Sequence, residues 1–119
     1  MKWLVGAMLL SSVALAQIRV TPETPGALVI GAEVRIALVP GLVVVERVAE
    51  PRGIVVVYRG RLAEVYAHHH RDLVARGWTR VKLQVGDGRY RSEYRRGRAK
   101  ARLEVRERRG QVEVRVKEG

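Results

Sequence analysis

From Thr79 to the C-terminus, apolar and polar side chains alternate with a period of two, interrupted only by short segments that contain glycine. This period places successive side chains on opposite faces of a β-strand. Such short connections join antiparallel neighbours, because a parallel crossover needs a dozen or more residues. The pattern therefore predicts a four-stranded antiparallel meander with strands Thr79–Val85, Arg89–Arg96, Arg98–Glu107 and Gln111–Lys117.

The two faces of this meander are predicted to differ sharply in chemistry. The apolar face would carry Val81, Leu83, Val85, Tyr90, Tyr94, Ala99, Ala101, Leu103, Val105, Val112, Val114 and Val116. The opposite face would carry three acidic residues, Glu93, Glu104 and Glu113, and eleven basic ones. These candidate polyanion-binding residues are Arg80, Lys82, Arg89, Arg91, Arg95, Arg98, Lys100, Arg102, Arg106, Arg115 and Lys117.

The segment between Arg61 and Arg76 has a helical period instead. Its apolar residues recur every three or four positions, which forms one stripe of an amphipathic helix. Gly77 suits the left-handed position after the helix, and Trp78 can then pack back on the last turn. We therefore expect Trp78 to be a core residue rather than a ligand platform. The stripe consists of Leu62, Val65, Tyr66, His69 and Leu73.

The residues before the helix predict further strands. Residues Ala27 to Val39 alternate as one half-buried strand that ends at Pro40-Gly41. The β-branched runs Leu42–Val45 and Ile54–Val57 predict a hairpin whose strands are apolar on both faces. Buried core is the favoured interpretation of these runs, and a β-rich interaction surface is the alternative.

Together these elements predict an α+β fold, with a single helix packed on a bent, mostly antiparallel β-sheet that ends in the meander. One helix covers only about two strands, since a helix is about 10 Å wide and strands lie about 4.8 Å apart. The rest of the apolar face needs cover from the N-terminal hairpin or from a second subunit. We expect the intramolecular solution.

The first residues have the features of a signal peptide. Lys2 precedes a run of mainly apolar residues, which ends in Ala14-Leu15-Ala16, a small-residue cleavage pattern. A membrane anchor would need about 20 apolar residues, but polar residues follow too soon. We therefore expect a signal peptide over residues 1–16, a linker over residues 17–26, one domain over residues 27–119, and a periplasmic or secreted protein without a transmembrane span.

Composition narrows the function classes. The 119 residues carry a net charge of +11 and include no cysteine, which excludes disulfides, thiolate nucleophiles and Cys-ligated zinc. The scarcity of thermolabile residues, with abundant Arg and Glu, indicates a thermophile. Ser92 has no neighbouring His in sequence, and no motif of a catalytic nucleophile is present. We expect no enzyme and no cofactor.

The triplet His68-His69-His70 is the one conspicuous metal-binding pattern. Consecutive residues on a helix are rotated by about 100°, so the three rings cannot converge on one ion. Only a pair at i,i+4 spacing, Glu64 with His68 or His68 with Asp72, could supply two ligands. We expect no metal site and expect His69 to lie in or beside the core.

The basic face leaves two functional hypotheses. In the first, an exported binding module uses it to contact an anionic polymer, an envelope glycan, lipid headgroups, an acidic protein, or nucleic acid outside the cytoplasm. Single-strand binders interleave aromatic residues with basic ones, which this face would lack. In the second, the chain is an envelope assembly or protein-interaction domain that can form oligomers and whose charge serves only solubility.

Overall fold

The computed structural model describes residues 27–31 and 33–119. The predicted signal peptide and the linker lie outside the described residues. The elements, in chain order, are β1 (Ala27–Ile30), β2 (Val34–Ala37), β3 (Val43–Glu50), β4 (Gly53–Arg59), α1 (Leu62–Ala75), β5 (Thr79–Gly86), β6 (Arg89–Arg96), β7 (Ala99–Arg108) and β8 (Gln111–Glu118).

Six of the strands form one antiparallel sheet in the order β3-β4-β8-β7-β6-β5. The predicted meander is confirmed, because β5, β6, β7 and β8 pair in succession. Its last strand then pairs with β4, which joins the two halves of the chain in one sheet. The predicted α+β fold is confirmed.

The tight turns of the meander follow from residues that accept a positive φ. Arg109 and Gly110 connect β7 to β8 with φ values of 54° and 78°. A two-residue hairpin turn of type I′ needs positive φ at both positions, which matches the right-handed twist of the strands. This turn fixes the register in which β7 and β8 present their side chains.

The inner face of the sheet is covered by α1 and by the β1–β2 hairpin, and the core lies between these layers. The single strand predicted over residues Ala27 to Val39 is wrong, because the chain turns at Gly31 (φ 63°) and forms β1 and β2. Alternation continues through this turn, so Val34 and Ile36 are buried as expected. The cover is intramolecular here, but it comes from β1–β2, while β3 and β4 extend the sheet.

The two runs expected to be buried behave differently. Ile54 to Tyr58 of β4 are buried on both faces, because β4 lies between β3 and β8 and beneath the second layer. Strand β3 is instead an edge strand, and its Val43, Val45 and Val48 are exposed. The two runs differ in composition only by Leu42 against Ile54, so the position of each strand in the sheet explains the difference in burial.

The helix and its end agree with the prediction. Val65, Tyr66, His69 and Leu73 are buried. At the C-terminus the amide of Gly77 donates to the carbonyl of Val74 at 3.0 Å, and the amide of Trp78 donates to that of Leu73 at 3.1 Å. This is the Schellman pattern, and it holds Trp78, only 2% exposed, in the core.

Candidate polyanion-binding face

We call the side of the six-stranded sheet that faces away from α1 and β1–β2 the outer face. Strand register brings nine of the eleven predicted basic residues together on it, because they alternate with the buried residues of the core. The nine are Lys82, Arg89, Arg91, Arg95, Lys100, Arg102, Arg106, Arg115 and Lys117.

The prediction was wrong for Arg80. A β-bulge at Val81 interrupts the alternation of β5, so Arg80 lies opposite Tyr94 on the inner side while Lys82 lies opposite Glu93. From there Arg80 Nη1 donates to the hydroxyl of Tyr66 at 2.9 Å. Arg98 also leaves the set, because it lies in the turn between β6 and β7 rather than on a strand.

Acidic residues on the outer face lie between basic ones. Glu104 has Arg91 and Arg115 as its neighbours on the two adjacent strands. Arg91 Nη2 approaches a carboxylate oxygen of Glu104 at 3.2 Å, while Arg115 Nε approaches that of Glu50, on β3, at 3.4 Å. These pairs neutralise part of the charge at the centre of the face.

A second group of ion pairs lies near the β7–β8 turn. Arg106 Nε donates to Glu113 at 2.8 Å, and Arg108 lies 3.7 Å from the same carboxylate. The hydrogen bond to Glu113 raises the pKa of Arg106, which keeps this guanidinium charged. The sequence prediction missed Arg108 because it ended this strand at Glu107, one residue too early. It missed Glu46 and Glu50 because it placed only the meander on this face.

Six outer-face cations have no ion pair with any acidic group in the described ranges: Lys82, Arg89, Arg95, Lys100, Arg102 and Lys117. Two of them, Arg102 and Lys117, are direct neighbours on β7 and β8. They line a shallow depression of about 280 Å³ together with Arg91, Glu104 and Arg115. This depression therefore combines four cations with one carboxylate.

Apolar side chains support the outer face beside β8. Val55 and Val57 point to this side but are only 7% and 9% exposed. Their partners on β8 are Arg115 and Glu113, whose long side chains can cover a neighbouring valine with their aliphatic stems. The charged groups of Arg115 and Glu113 thus lie next to the buried side chains of Val55 and Val57.

No aromatic side chain of the described strands lies on the outer face. Tyr90 and Tyr94 lie on the inner side, as predicted, opposite Val105 and Ala101 of β7. The ring of Tyr90 stacks on Tyr66 of α1 with 4.6 Å between ring centroids. The face consequently offers charge and hydrogen-bond donors but no stacking platform.

A dense group of polar side chains lies between α1 and β6, on the inner side. The hydroxyls of Tyr66 and Ser92 are hydrogen-bonded, and His70 Nδ1 lies 2.8 Å from the hydroxyl of Tyr94. Burial raises the pKa of Tyr94 and keeps it protonated. Ser92 is fully buried, so this group stabilises the helix–sheet contact and gives no access to a nucleophile.

The three histidines point to three different partners. His68 Nε2 lies 3.0 Å from the carbonyl of Ala37, His70 contacts Tyr94, and His69 Nε2 lies 3.0 Å from the hydroxyl of Tyr58. No three potential metal-ligating side chains come together in the described part of the chain. The rings diverge as helix geometry requires.

The fully buried pair Tyr58 and His69 has a defined protonation state. The amide of Val39 donates to the Tyr58 hydroxyl at 3.2 Å, and this hydroxyl and His69 Nε2 are hydrogen-bonded at 3.0 Å. Burial lowers the pKa of His69 to about 3 and raises that of Tyr58 to about 12. Both side chains are therefore neutral across the ordinary pH range.

Among the described residues, no helix has the length and hydropathy to span a membrane. No protein-family model, no curated protein and no solved structure matches this chain.

Proposed function

We propose that this chain is an exported, non-enzymatic module that binds an anionic polymer in the periplasm or outside the cell through the outer face of its sheet. The observation that carries the proposal is the central depression, where Arg91, Arg102, Arg115 and Lys117 surround the single carboxylate of Glu104. Arg91 and Arg115 each have one carboxylate partner, whereas Arg102 and Lys117 have no ion pair among the described residues. Four cations this close repel one another unless counterions or a ligand neutralise the excess charge.

The spacing of the cations supports a polymer rather than one small anion. Successive outward residues on a strand are about 6.8 Å apart, and neighbouring strands lie about 4.8 Å apart. Unpaired cations extend from Lys82 on β5 to Lys117 on β8, across four strands. A compact anion would contact only two or three of these groups, whereas a chain of sulfates or phosphates could contact most of them.

The donor types favour sulfate, phosphate or carboxylate as the bound group, because arginine presents a planar fork that binds such anions bidentately. The absence of aromatic side chains from the described outer face argues against a ligand held by stacked bases. A polymer that presents its anionic groups outwards, such as an acidic glycan, fits the face best.

The experiment removes charge from one side of the molecule at a time. Arg102→Gln with Lys117→Gln neutralises two unpaired cations of the outer face. The control, Arg61→Gln with Arg71→Gln, removes the same charge from the N-terminus and the exposed side of α1, on the opposite layer. Affinity for heparin, used as a sulfated probe, is measured for all three proteins across a salt series.

We expect the outer-face variant to bind heparin more weakly and to lower the slope of log affinity against log salt by about 2, since each lost contact releases about one counterion less. The control should retain the native slope. Equal losses in both variants, or no retention of the native protein at low salt, would refute the proposal. Duplex DNA and anionic vesicles, tested in the same way, distinguish glycan, nucleic acid and lipid headgroups.

A protein-interaction or assembly function is the second candidate, and one observation favours it. Both edge strands of the sheet expose apolar side chains, Val43, Val45 and Val48 on β3 and Leu83 and Val85 on β5. Exposed apolar edges template the addition of another strand. This candidate does not compete for the outer face.

A further inference from the structure

Strand β5 is an unprotected edge of the sheet. Among the described residues it pairs only with β6, so one row of its backbone N–H and C=O groups has no partner strand within this part of the chain. On the inner side, α1 covers β6 and β7 but leaves Leu83 and Val85 of β5 exposed by 41% and 63%. Apolar side chains next to an open row of backbone hydrogen-bonding groups are the features of a strand-pairing surface.

We propose that a second copy of this chain pairs with β5, antiparallel, about a two-fold axis that passes through Gln84. A two-fold axis perpendicular to the sheet keeps the inner side of one copy continuous with the inner side of the other. The pairing would join two six-stranded sheets into one of twelve strands. It requires no ligand and is independent of the proposed function.

The register about Gln84 is self-complementary. Gln84 lies opposite Gln84 of the partner copy, where the two amides can hydrogen-bond on the outer face. Lys82 lies opposite Gly86, so no like charges meet in directly opposed positions along this stretch. The register also uses only residues 82–86, and these residues lie beyond the bulge at Val81.

The apolar side chains match in the same register. Leu83 of each copy lies opposite Val85 of the other, on the inner side that the second layer leaves uncovered. Opposed residues on antiparallel strands have Cβ atoms about 4.5–5.5 Å apart, which allows direct packing. The half-buried ring of Tyr90, the neighbour of Val85 on β6, flanks each contact.

The other edge of the sheet is a poorer candidate for self-pairing. A two-fold axis at Glu46 or Arg47 would place that residue opposite its own copy, and an axis at Val48 would place Glu46 opposite Glu50. Directly opposed like charges destabilise a strand pair. Strand β3 thus contains charges that oppose such pairing in its central part, and the corresponding part of β5 does not.

The first test uses the absence of cysteine from the native chain. In the proposed dimer the two Gln84→Cys residues lie opposite each other, with Cα atoms about 4.5–5.5 Å apart, a distance at which a disulfide can form. Lys82→Cys residues would be about 13 Å apart along the strands and should not cross-link. Val48→Cys places an exposed cysteine on the other edge strand as a control.

The three variants are oxidised under mild conditions without polyanion, at about 0.3 M salt to screen the basic faces. We expect Gln84→Cys to form a covalent dimer at least tenfold faster than the other two. Faster cross-linking by Val48→Cys would assign the interface to β3, and faster cross-linking by Lys82→Cys would assign another register. Either result, or equal rates, would overturn the proposal.

The second test keeps the cysteine-free chain. Gln84→Glu places two carboxylates opposite each other in the dimer, whereas within the monomer the new carboxylate lies opposite Arg91, a favourable neighbour, at an exposed position. Sedimentation equilibrium should show a native dimer whose dissociation constant rises at least tenfold in the variant. A native chain that stays monomeric at about 1 mM, a concentration at which even a dimer with a millimolar dissociation constant would be well populated, would refute the inference.

Discussion

The inner and outer faces of strands β5 to β8 are built from alternating residues of the same chain segments, yet we propose a different role for each face. On β7, Ala101, Leu103 and Val105 are buried beneath the helix, while the intervening Arg102 is exposed. Burial makes the inner residues the source of stability, and exposure leaves the outer residues free to contact a ligand. The comparison teaches that substitutions on one face should leave the property of the other face unchanged.

The sharpest way to break this separation is to truncate neighbouring residues on β7. Leu103→Ala removes a fully buried side chain from the core and should lower the free energy of unfolding by about 2–5 kcal/mol. Arg102→Ala should change it by less than about 0.5 kcal/mol, as exposed substitutions usually do. Urea unfolding measures both, and a comparable loss in Arg102→Ala would show that the outer face is also structural.

A pH series tests the inner face through His69. Its pKa is lowered to about 3 in the folded chain, below the ordinary 6.5, so the unfolded chain binds the additional proton between these values. Stability is therefore complete above about pH 6.5 and is lost as pH falls towards 3, by about 1.4 kcal/mol per pH unit in this window.

The control for this series is His69→Phe, which should be less stable at pH 7 because the buried Tyr58 hydroxyl loses a hydrogen-bond partner. Its unfolding free energy should depend less on pH between 4 and 6.5. His70, whose pKa is also lowered, keeps a smaller dependence of the same sign in both proteins. An unchanged slope in His69→Phe would contradict the neutral, buried assignment.

Arg80 provides a further test of the difference between the two faces, because the bulge at Val81 places its side chain on the inner side. Arg80→Met removes the donor to Tyr66, whose hydroxyl keeps its partner Ser92, and should reduce stability by about 1 kcal/mol. Heparin affinity should fall less than in Arg95→Met, which removes an unpaired outer-face cation. Urea unfolding and heparin binding are measured for both variants. A larger loss of heparin affinity in Arg80→Met than in Arg95→Met would contradict the placement of Arg80 on the inner side.

The smallest expected effect concerns the outer-face ion pair between Arg91 and Glu104. Both groups are partly exposed, so a double-mutant cycle with Arg91→Gln and Glu104→Gln should give a coupling energy below about 1 kcal/mol, decreasing with salt. Glu104→Gln alone should strengthen heparin binding, because it removes the only carboxylate of the central depression. Weaker binding in this variant would exclude the depression as the contact point.

Much of the fold followed from periodicity. Alternation from Thr79 onward predicted the meander, and the helical stripe with Gly77-Trp78 predicted α1 and its cap, since both patterns are local. The bulge at Val81 has no local signal, and for that reason Arg80 was assigned to the wrong face. Likewise, the exposure of β3 depends on which strand lies at the edge, and the valine-rich run does not encode this.

The sequence predicted most basic residues of the candidate site, but it did not predict the carboxylates that strand β3 contributes. Nine outer-face cations were predicted from alternation alone, because every second residue of a strand stays on the same face of the sheet wherever no bulge intervenes. Glu46 and Glu50 were missed because β3 joins the same sheet through β4, a long-range pairing. The pairing of Arg115 with Glu50 rather than Glu104 also depends on side-chain geometry, which periodicity does not describe.

The most direct test of the central claim is a nuclear magnetic resonance titration of the labelled chain with a short heparin fragment, following the side-chain Nε–Hε signals of arginine. The account predicts shifts for Arg91, Arg102 and Arg115 on the outer face, with little change for Arg61 and Arg71 on the opposite layer. Shifts that are largest for Arg61 and Arg71, or spread evenly over all arginines, would contradict a binding face on the sheet.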